Sequence, residues 1–372
     1  MDAQELIHTI ALTQVPGIGC VRGRILLQAA GSAVRVFHDR RYLAQQIPGI
    51  SRKLLALLDC PQAIERAQRE YEFTVNNQIA CLSLLDERYP KRLRECEDAP
   101  LLLFFRGNAD LNQRRIVSIV GTRRPTDYGR QLCESFMRDL HELCPDVLII
   151  SGLAYGIDIK AHTAALSHGL DTIGVLAHGL DRIYPSVHRK IAIEMLQHGG
   201  LLTEYLTGTQ PESYNFVARN RIVAGISDAT VVVESPVKGG SLITADLAGG
   251  YHRDCFAFSG RACDTNSQGC NALIRDNKAA LIQSAADLVE AMRWGSPNER
   301  KTSTPERQPS LFPDLTPDER AVVSLLEKGG ELQLNTLLVD ANVPIHQLHS
   351  TLFELEMKGV IRTLAGGMYR LA

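Results

Sequence analysis

Between residues 121 and 260 one event recurs five times: an apolar run ends and a short glycine- or arginine-rich turn follows. The turns are Gly121-Thr122-Arg123-Arg124, Ser151-Gly152-Leu153-Ala154-Tyr155-Gly156, His178-Gly179-Leu180-Asp181, Arg219-Asn220-Arg221 and Gly239-Gly240-Ser241. A parallel sheet gathers the carboxyl ends of its strands on one rim, where helix N-termini also converge. Small residues there let backbone N–H groups approach an anion, and the helix dipoles favour negative charge at the same place. Several such turns with arginines among them point to a long polyanion rather than one small phosphate.

The runs that precede these turns set the fold class. Ile116–Val120, Val147–Ser151, Thr172–Ala177, Leu201–Glu204, Ala229–Glu234, Cys255–Ser259 and Ala279–Ile282 are nearly continuous apolar stretches. Strands read this way when helices cover both faces of a parallel sheet. Amphipathic segments such as Arg130–Leu143 and Ile157–His168 fill the intervals. The expected fold is therefore α/β, an extended Rossmann-like, doubly wound and mostly parallel sheet. Ala80–Leu84 and Leu101–Phe105 would add edge strands before it.

With 372 residues, the chain exceeds the roughly 250–300 at which one core stops growing, so flanking domains are expected. Residues 1–65 hold two copies of one pattern, Val15-Pro16-Gly17-Ile18-Gly19 before Arg22 and Ile47-Pro48-Gly49-Ile50-Ser51 before Arg52. This resembles a helix-hairpin-helix (SAM-like) module, whose Pro-Gly turn exposes backbone amides to a phosphate. Within residues 1–60 seven cations (Arg22, Arg24, Arg35, Arg40, Arg41, Arg52 and Lys53) outnumber Asp2, Glu5, Asp39 and Asp59. Residues 66–293 carry the sheet. Residues 294–314 hold four prolines and read as a linker. Residues 315–372 resemble a winged helix, with Thr316-Pro317-Asp318-Glu319 opening its first helix and Gly366-Gly367 turning its hairpin.

Charge restricts the roles of these parts. The net charge of −2 gives no global attraction for nucleic acid, so binding must come from local arginine clustering. From Leu315 onward seven acids face five bases, with Glu354 and Glu356 on the helix a winged helix would lay in a groove. Phosphate attraction needs the opposite sign, so protein docking or regulation is expected of that domain. Nine cysteines without a CxxC pair argue against structural zinc and fit reduced thiols. Apolar runs such as Val147–Ile150 are too short to span a bilayer.

The loops can be weighed one by one. Gly121 permits a tight turn, Thr122 offers a hydroxyl, and Arg123 and Arg124 can clamp phosphate in a fork. Thr126 or Asp127 would cap the next helix. Gly152 and Gly156 suit a backbone cradle, Tyr155 could stack on a base, and Asp158 is read as a helix cap or arginine partner. Arg219, Asn220 and Arg221 beside Tyr214 and Phe216 suit stacking and phosphate contact with a single strand. For Arg221, burial against an acid such as Glu204 or Glu234 is the alternative. Gly240, Ser241 and Thr244 would again hold phosphate. There is neither GxGxxG nor a Walker GK[ST], so neither a dinucleotide cofactor nor ATP hydrolysis is expected. No catalytic residue, metal ligand or cofactor is assigned.

Taken together, VGTRRPTDYG, SGLAYGIDIKAH, HGLDRIYP, FVARNRIVAGIS, GGSLITADLA and GCNALI resemble the DNA-processing protein A (DprA/Smf) family. The resemblance implies a non-enzymatic, cytoplasmic bacterial protein that binds single-stranded DNA, protects it during natural transformation and helps load the RecA recombinase. It also implies a homodimer through the Rossmann domain. It places Arg123 and Arg219 on phosphates, Phe216 on a base, and Gly152, Gly240 and Ser241 at backbone contacts. Three positions depart from the family pattern: His188 stands for the asparagine of YPxxN, Gly239 for the serine of SGSLITA, and Ser259 for a proline. Two rival readings are a phosphoribohydrolase-like nucleotide enzyme, whose loop glutamate this chain lacks, and an adaptor acting through its winged helix.

Overall fold

The computed structural model describes residues 2–47, 50–295, 315–341, 344–364 and 366–372. Among them nine strands form one sheet: β1 (Ala80–Ser83), β2 (Leu102–Gly107), β3 (Ile116–Val120), β4 (Leu148–Ser151), β5 (Thr172–Val175), β6 (Gly199–Thr203), β7 (Ala229–Val232), β8 (Asp254–Phe258) and β9 (Ala280–Ile282). The order is β1-β2-β6-β5-β4-β3-β7-β8-β9, parallel from β6 to β9 and antiparallel at β1–β2 and β2–β6. Every residue of β3 to β7 is buried, as strands covered on both faces require. The mostly parallel, doubly wound architecture is the one expected from the apolar runs.

This order creates a switch point. From β3 the chain winds outward through β4, β5 and β6, then returns to the other side of β3 to lay down β7. Loops leaving β3 and β7 therefore diverge and open a crevice at the carboxyl rim, where open α/β sheets bind ligands.

The N-terminal helices Ala3–Gln14 and Cys20–Ala30 flank the first Pro-Gly turn, with Gly17 at φ +83°. The second pair, Arg40–Gln46 and Arg52–Leu57, flanks Pro48-Gly49, which lie outside the described residues. Two of the module's cations are used internally. Arg22 donates to the Gly17 carbonyl at 3.0 Å, and Arg24 donates to the carbonyls of Cys96 and Arg94 at 2.6 and 2.8 Å. The boundary expected at 65/66 falls inside a continuous helix, Pro61–Asn76, whose buried Ala63 and Ala67 join the core cluster of the first helices.

At the other end Trp294 is not linker. It is buried in the same apolar core as Phe136 and Leu140, and its carbonyl accepts from Arg115 at 2.6 Å. Residues 296–314 of the expected linker lie outside the described residues. The C-terminal helices Pro317–Gly329, Leu334–Asp340 and Ile345–Met357 enclose their own apolar core. The strands β10 (Glu331–Gln333), β11 (Ile361–Leu364) and β12 (Met368–Leu371) pair in the order β10-β12-β11, giving a winged helix. Two of its acids serve structure. Glu319 closes a capping box with Thr316 and meets Lys358 Nζ at 2.6 Å, and Glu356 accepts from the Thr363 hydroxyl at 2.9 Å.

Candidate nucleic-acid interface

At the switch point a cleft of about 640 Å³ opens between the loops after β3 and β7. One wall is Gly121-Thr122-Arg123, and the opposite wall is Gly239, Gly240 and Ser241 with Thr244 behind them. Tyr155 stands on the loop after β4, and Phe216, Arg219 and Asn220 come from the helix Ser213–Ile226.

Close packing fixes these loops. The Thr122 amide donates to the Glu234 carbonyl at 2.7 Å, and its carbonyl accepts from Ile157 at 3.1 Å. Glu234 is buried and accepts from the amide and hydroxyl of Thr126 at 2.9 and 2.7 Å. Thr126 in turn caps the helix Asp127–Leu143 through the Gly129 amide. Gly156 has φ +86°, and a Cβ there would run into the Thr122 carbonyl. The β3 and β4 loops thus touch backbone to backbone, which only glycine allows. Opposite, Ser241 donates to Ser235 Oγ at 2.8 Å, and a side chain on Gly239 would overlap that same hydroxyl. Glycine at 239, a departure from the family pattern, is therefore matched to Ser235.

The exposed contact surface is one cation among aromatics. The Arg123 guanidinium lies over the Phe216 ring, 5.5 Å from its centroid. The Tyr184 ring is tilted against Phe216 at 5.9 Å between centroids, and Tyr155 meets His188 edge to face at 5.1 Å. Tyr155 and Tyr184 remain 47% and 46% exposed, so rings are available to stack. His188 is buried, with Nδ1 2.9 Å from the Leu153 carbonyl, so it props the β4 loop from behind.

Four assignments need correction. Arg219-Asn220-Arg221 is not a turn after a strand but the middle of the helix Ser213–Ile226. Arg219 is 3% exposed, and its Nη1 donates to the carbonyls of Gly152 (2.6 Å) and Val175. Its guanidinium is therefore part of the cleft floor and not an exposed side chain. Its counter-charge is Asp158, whose carboxyl burial raises above the usual range while Arg219 opposes the shift. Arg221, two residues on, points away from the cleft. It pairs with Glu204 and donates to the Asp98 carbonyl, beside Cys20 of the N-terminal module. Arg124 is exposed but lies outside the cleft lining, its carbonyl accepting from Asn266 at 3.2 Å.

Gly152 and Gly156 are not among the residues that line the cleft. A Cβ on Gly152 would meet both the Arg219 guanidinium and the Asp158 carboxylate. Gly121, Thr122, Arg123, Tyr155, Phe216, Asn220, Gly240, Ser241 and Thr244 all line the one cleft. Sequence reasoning missed Tyr184 and Glu234 as parts of the site. The available signals were an aromatic beside Pro185 in a rim loop, and an acid closing the apolar run of β7. Among the described residues no group of His, Cys, Asp or Glu is arranged to hold a metal ion.

Residues 80–293 match the family model described as DNA recombination-mediator protein A, and residues 305–367 match the DprA winged helix domain. The chain belongs to the DNA recombination-mediator protein A (DprA/Smf) family. It is 40% identical to the DNA processing protein DprA of Streptococcus pneumoniae over 61% of this chain and 78% of the relative. It is 30% identical to Protein Smf of Synechocystis over the full length of both. Solved structures of relatives are similar as well, two of them at 32% identity. One is DprA from Streptococcus pneumoniae, with TM-score 0.58, 32% identity, and coverage of 73% of this chain and 98% of that one. The other is DNA processing protein A from Helicobacter pylori, studied for its single-stranded DNA binding mode. It has TM-score 0.52 and 32% identity, with coverage of 58% and 96%.

Proposed function

We propose that this DprA-family chain binds single-stranded DNA in the rim cleft, protects it during transformation and recombination, and helps load RecA onto it. The observation that carries the DNA reading is Arg123 over Phe216, flanked by Tyr184 and faced by the N-terminus of the helix Gly240–Gly250. A cation, stackable rings and free backbone amides on one rim match what an unpaired strand offers: phosphates and exposed base faces. A duplex hides those faces, so rings in a cleft have nothing to stack on. The Helicobacter pylori relative, described by its single-stranded DNA binding, supports the same ligand.

The RecA role rests on family membership. Dimerisation through the Rossmann domain is in keeping with β9, which forms the outer edge of the sheet with Leu281 49% exposed. Nine free thiols fit a reducing cytoplasm, and no described helix is long and apolar enough to cross a membrane. The cleft acts by binding, with no nucleophile–base pair assigned to it.

A gel shift of single- against double-stranded oligonucleotides over a salt series tests the proposal. Tighter binding of the single strand, weakening steadily with salt, is expected. Equal affinity for the two forms would contradict it.

A further inference from the structure

A second cleft, of about 620 Å³, lies at the opposite rim of the sheet, between the strand N-termini and the winged helix. The docked wing forms one wall. Arg293 donates to the Thr363 carbonyl at 3.0 Å, and the Gly366 amide donates to Asp254 at 3.2 Å.

Its charge is unbalanced in a chain whose net charge is −2. Each carboxylate in the lining already has a guanidinium. Asp228 pairs with Arg92 at 2.5 Å, Glu95 with Arg253 at 3.1 Å, and Glu331 with Arg370 at 3.5 Å. Lys91, Arg114, Arg293 and Arg362 also line the cleft and have no carboxylate partner among the described residues. Of these, Arg362 comes from the wing and the other three from the Rossmann body. Arg253 is buried in the lining with its Nε unpartnered. Gathering cations from two domains into one concavity is costly unless an anion offsets them.

We propose that this interdomain cleft binds a small polyphosphate anion of the nucleoside di- or triphosphate class, which holds the wing against the Rossmann body. Four surplus cations match the charge of a short phosphate chain, and guanidinium forks match its oxygens. The volume lies within the roughly 300–1,000 Å³ of small-molecule sites. Met292, Leu364 and Met368 supply apolar surface for the remainder of the ligand. A B-DNA duplex, whose two grooves are roughly 8.5 and 7.5 Å deep on either side of the base pairs, is too broad to enter a concavity of this size.

The full-length protein should be titrated by calorimetry with inorganic tripolyphosphate and with ATP, at ionic strength matched by chloride. Trp294 is the chain's single tryptophan and lines the cleft, so its emission reports where binding occurs. Saturable binding of both probes with a parallel change in Trp294 emission is expected. Arg114 and Arg362 are exposed, so the double variant Arg114→Ala/Arg362→Ala should fold while losing roughly tenfold or more in affinity. Arg123→Ala should leave it unchanged, which separates this site from the rim cleft. No saturable binding, or equal binding by the double variant, would overturn the proposal. So would displacement of tripolyphosphate by an oligonucleotide at lower phosphate concentration, since the cleft would then be a second nucleic-acid path.

Discussion

Arg219 and Arg221, two residues apart on one helix, serve opposite sides of it: Arg219 locks the cleft floor through Gly152 and Val175, and Arg221 locks the N-terminal module through Asp98 and Glu204. Two residues are about 200° of helical rotation, so the separation follows from helix geometry alone. Phe216, Arg219 and Asn220 are spaced three and four apart and share the cleft face.

Arg221→Ala should therefore act on stability. It leaves Glu204 buried, where desolvation already raises its carboxyl against the pull of Arg221. Removing one partner of such a pair costs about 3–5 kcal/mol. Urea unfolding should show that loss, while single-strand affinity per folded molecule and its salt slope stay at the parent values.

Phe216→Ala should weaken single-strand binding by about 1–3 kcal/mol, the worth of one stacked base. Because no charge is lost, the salt dependence should keep its slope. Fluorescence anisotropy over a salt series reads both quantities, and a changed slope would mean that Arg123 moved with the ring.

Two glycines of the cleft should respond differently to alanine. A Cβ at Gly240 meets open space, so Gly240→Ala should fold normally, with up to about 1 kcal/mol gained in helix propensity. A Cβ at Gly152 overlaps both the Arg219 guanidinium and the Asp158 carboxylate, and overpacking of that kind costs about 1–3 kcal/mol. Gly152→Ala should lose stability and single-strand affinity together, as thermal melts and anisotropy would show.

His162 offers a pH test. It is fully buried, hydrogen-bonded to Thr172 at 2.6 Å, and burial lowers its pKa to about 3, with the Arg219 charge adding to the effect. The unfolded chain takes up a proton near 6.5, whereas the folded chain stays neutral to about 3. Stability from this residue is thus complete above pH 6.5 and falls as pH drops towards 3. His162→Gln should flatten that decline by up to one proton, or about 1.4 kcal/mol per pH unit. An unaltered slope in urea titrations across this range would show that other groups dominate.

Much of the fold was legible because buried parallel strands leave an unambiguous trace. The runs at Ile116–Val120 and Ala229–Glu234 contain β3 and β7. The glycine loops were legible as well, since a rim with close backbone approaches leaves few alternatives to glycine at 121, 152 and 156. Side-chain direction on the Ser213–Ile226 helix was not. Read as a turn, Arg219-Asn220-Arg221 offers both arginines to a ligand; read at the helical period, it sends them apart. The part of Glu234 was hidden too, because its partner Thr126 is 108 residues away in sequence. Trp294 reads as linker in sequence because the prolines beyond it dominate local composition, yet long-range packing in the core decides its place.

The most direct test is Arg123→Ala, since Arg123 is the exposed guanidinium over the stacking ring. Binding of a single-stranded oligonucleotide should be measured from low to high salt for parent and variant. The account predicts weaker binding for every sequence tried and a plot of log affinity against log salt shallower by roughly 0.7, the share of one phosphate contact. Equal affinity and an equal slope would contradict it.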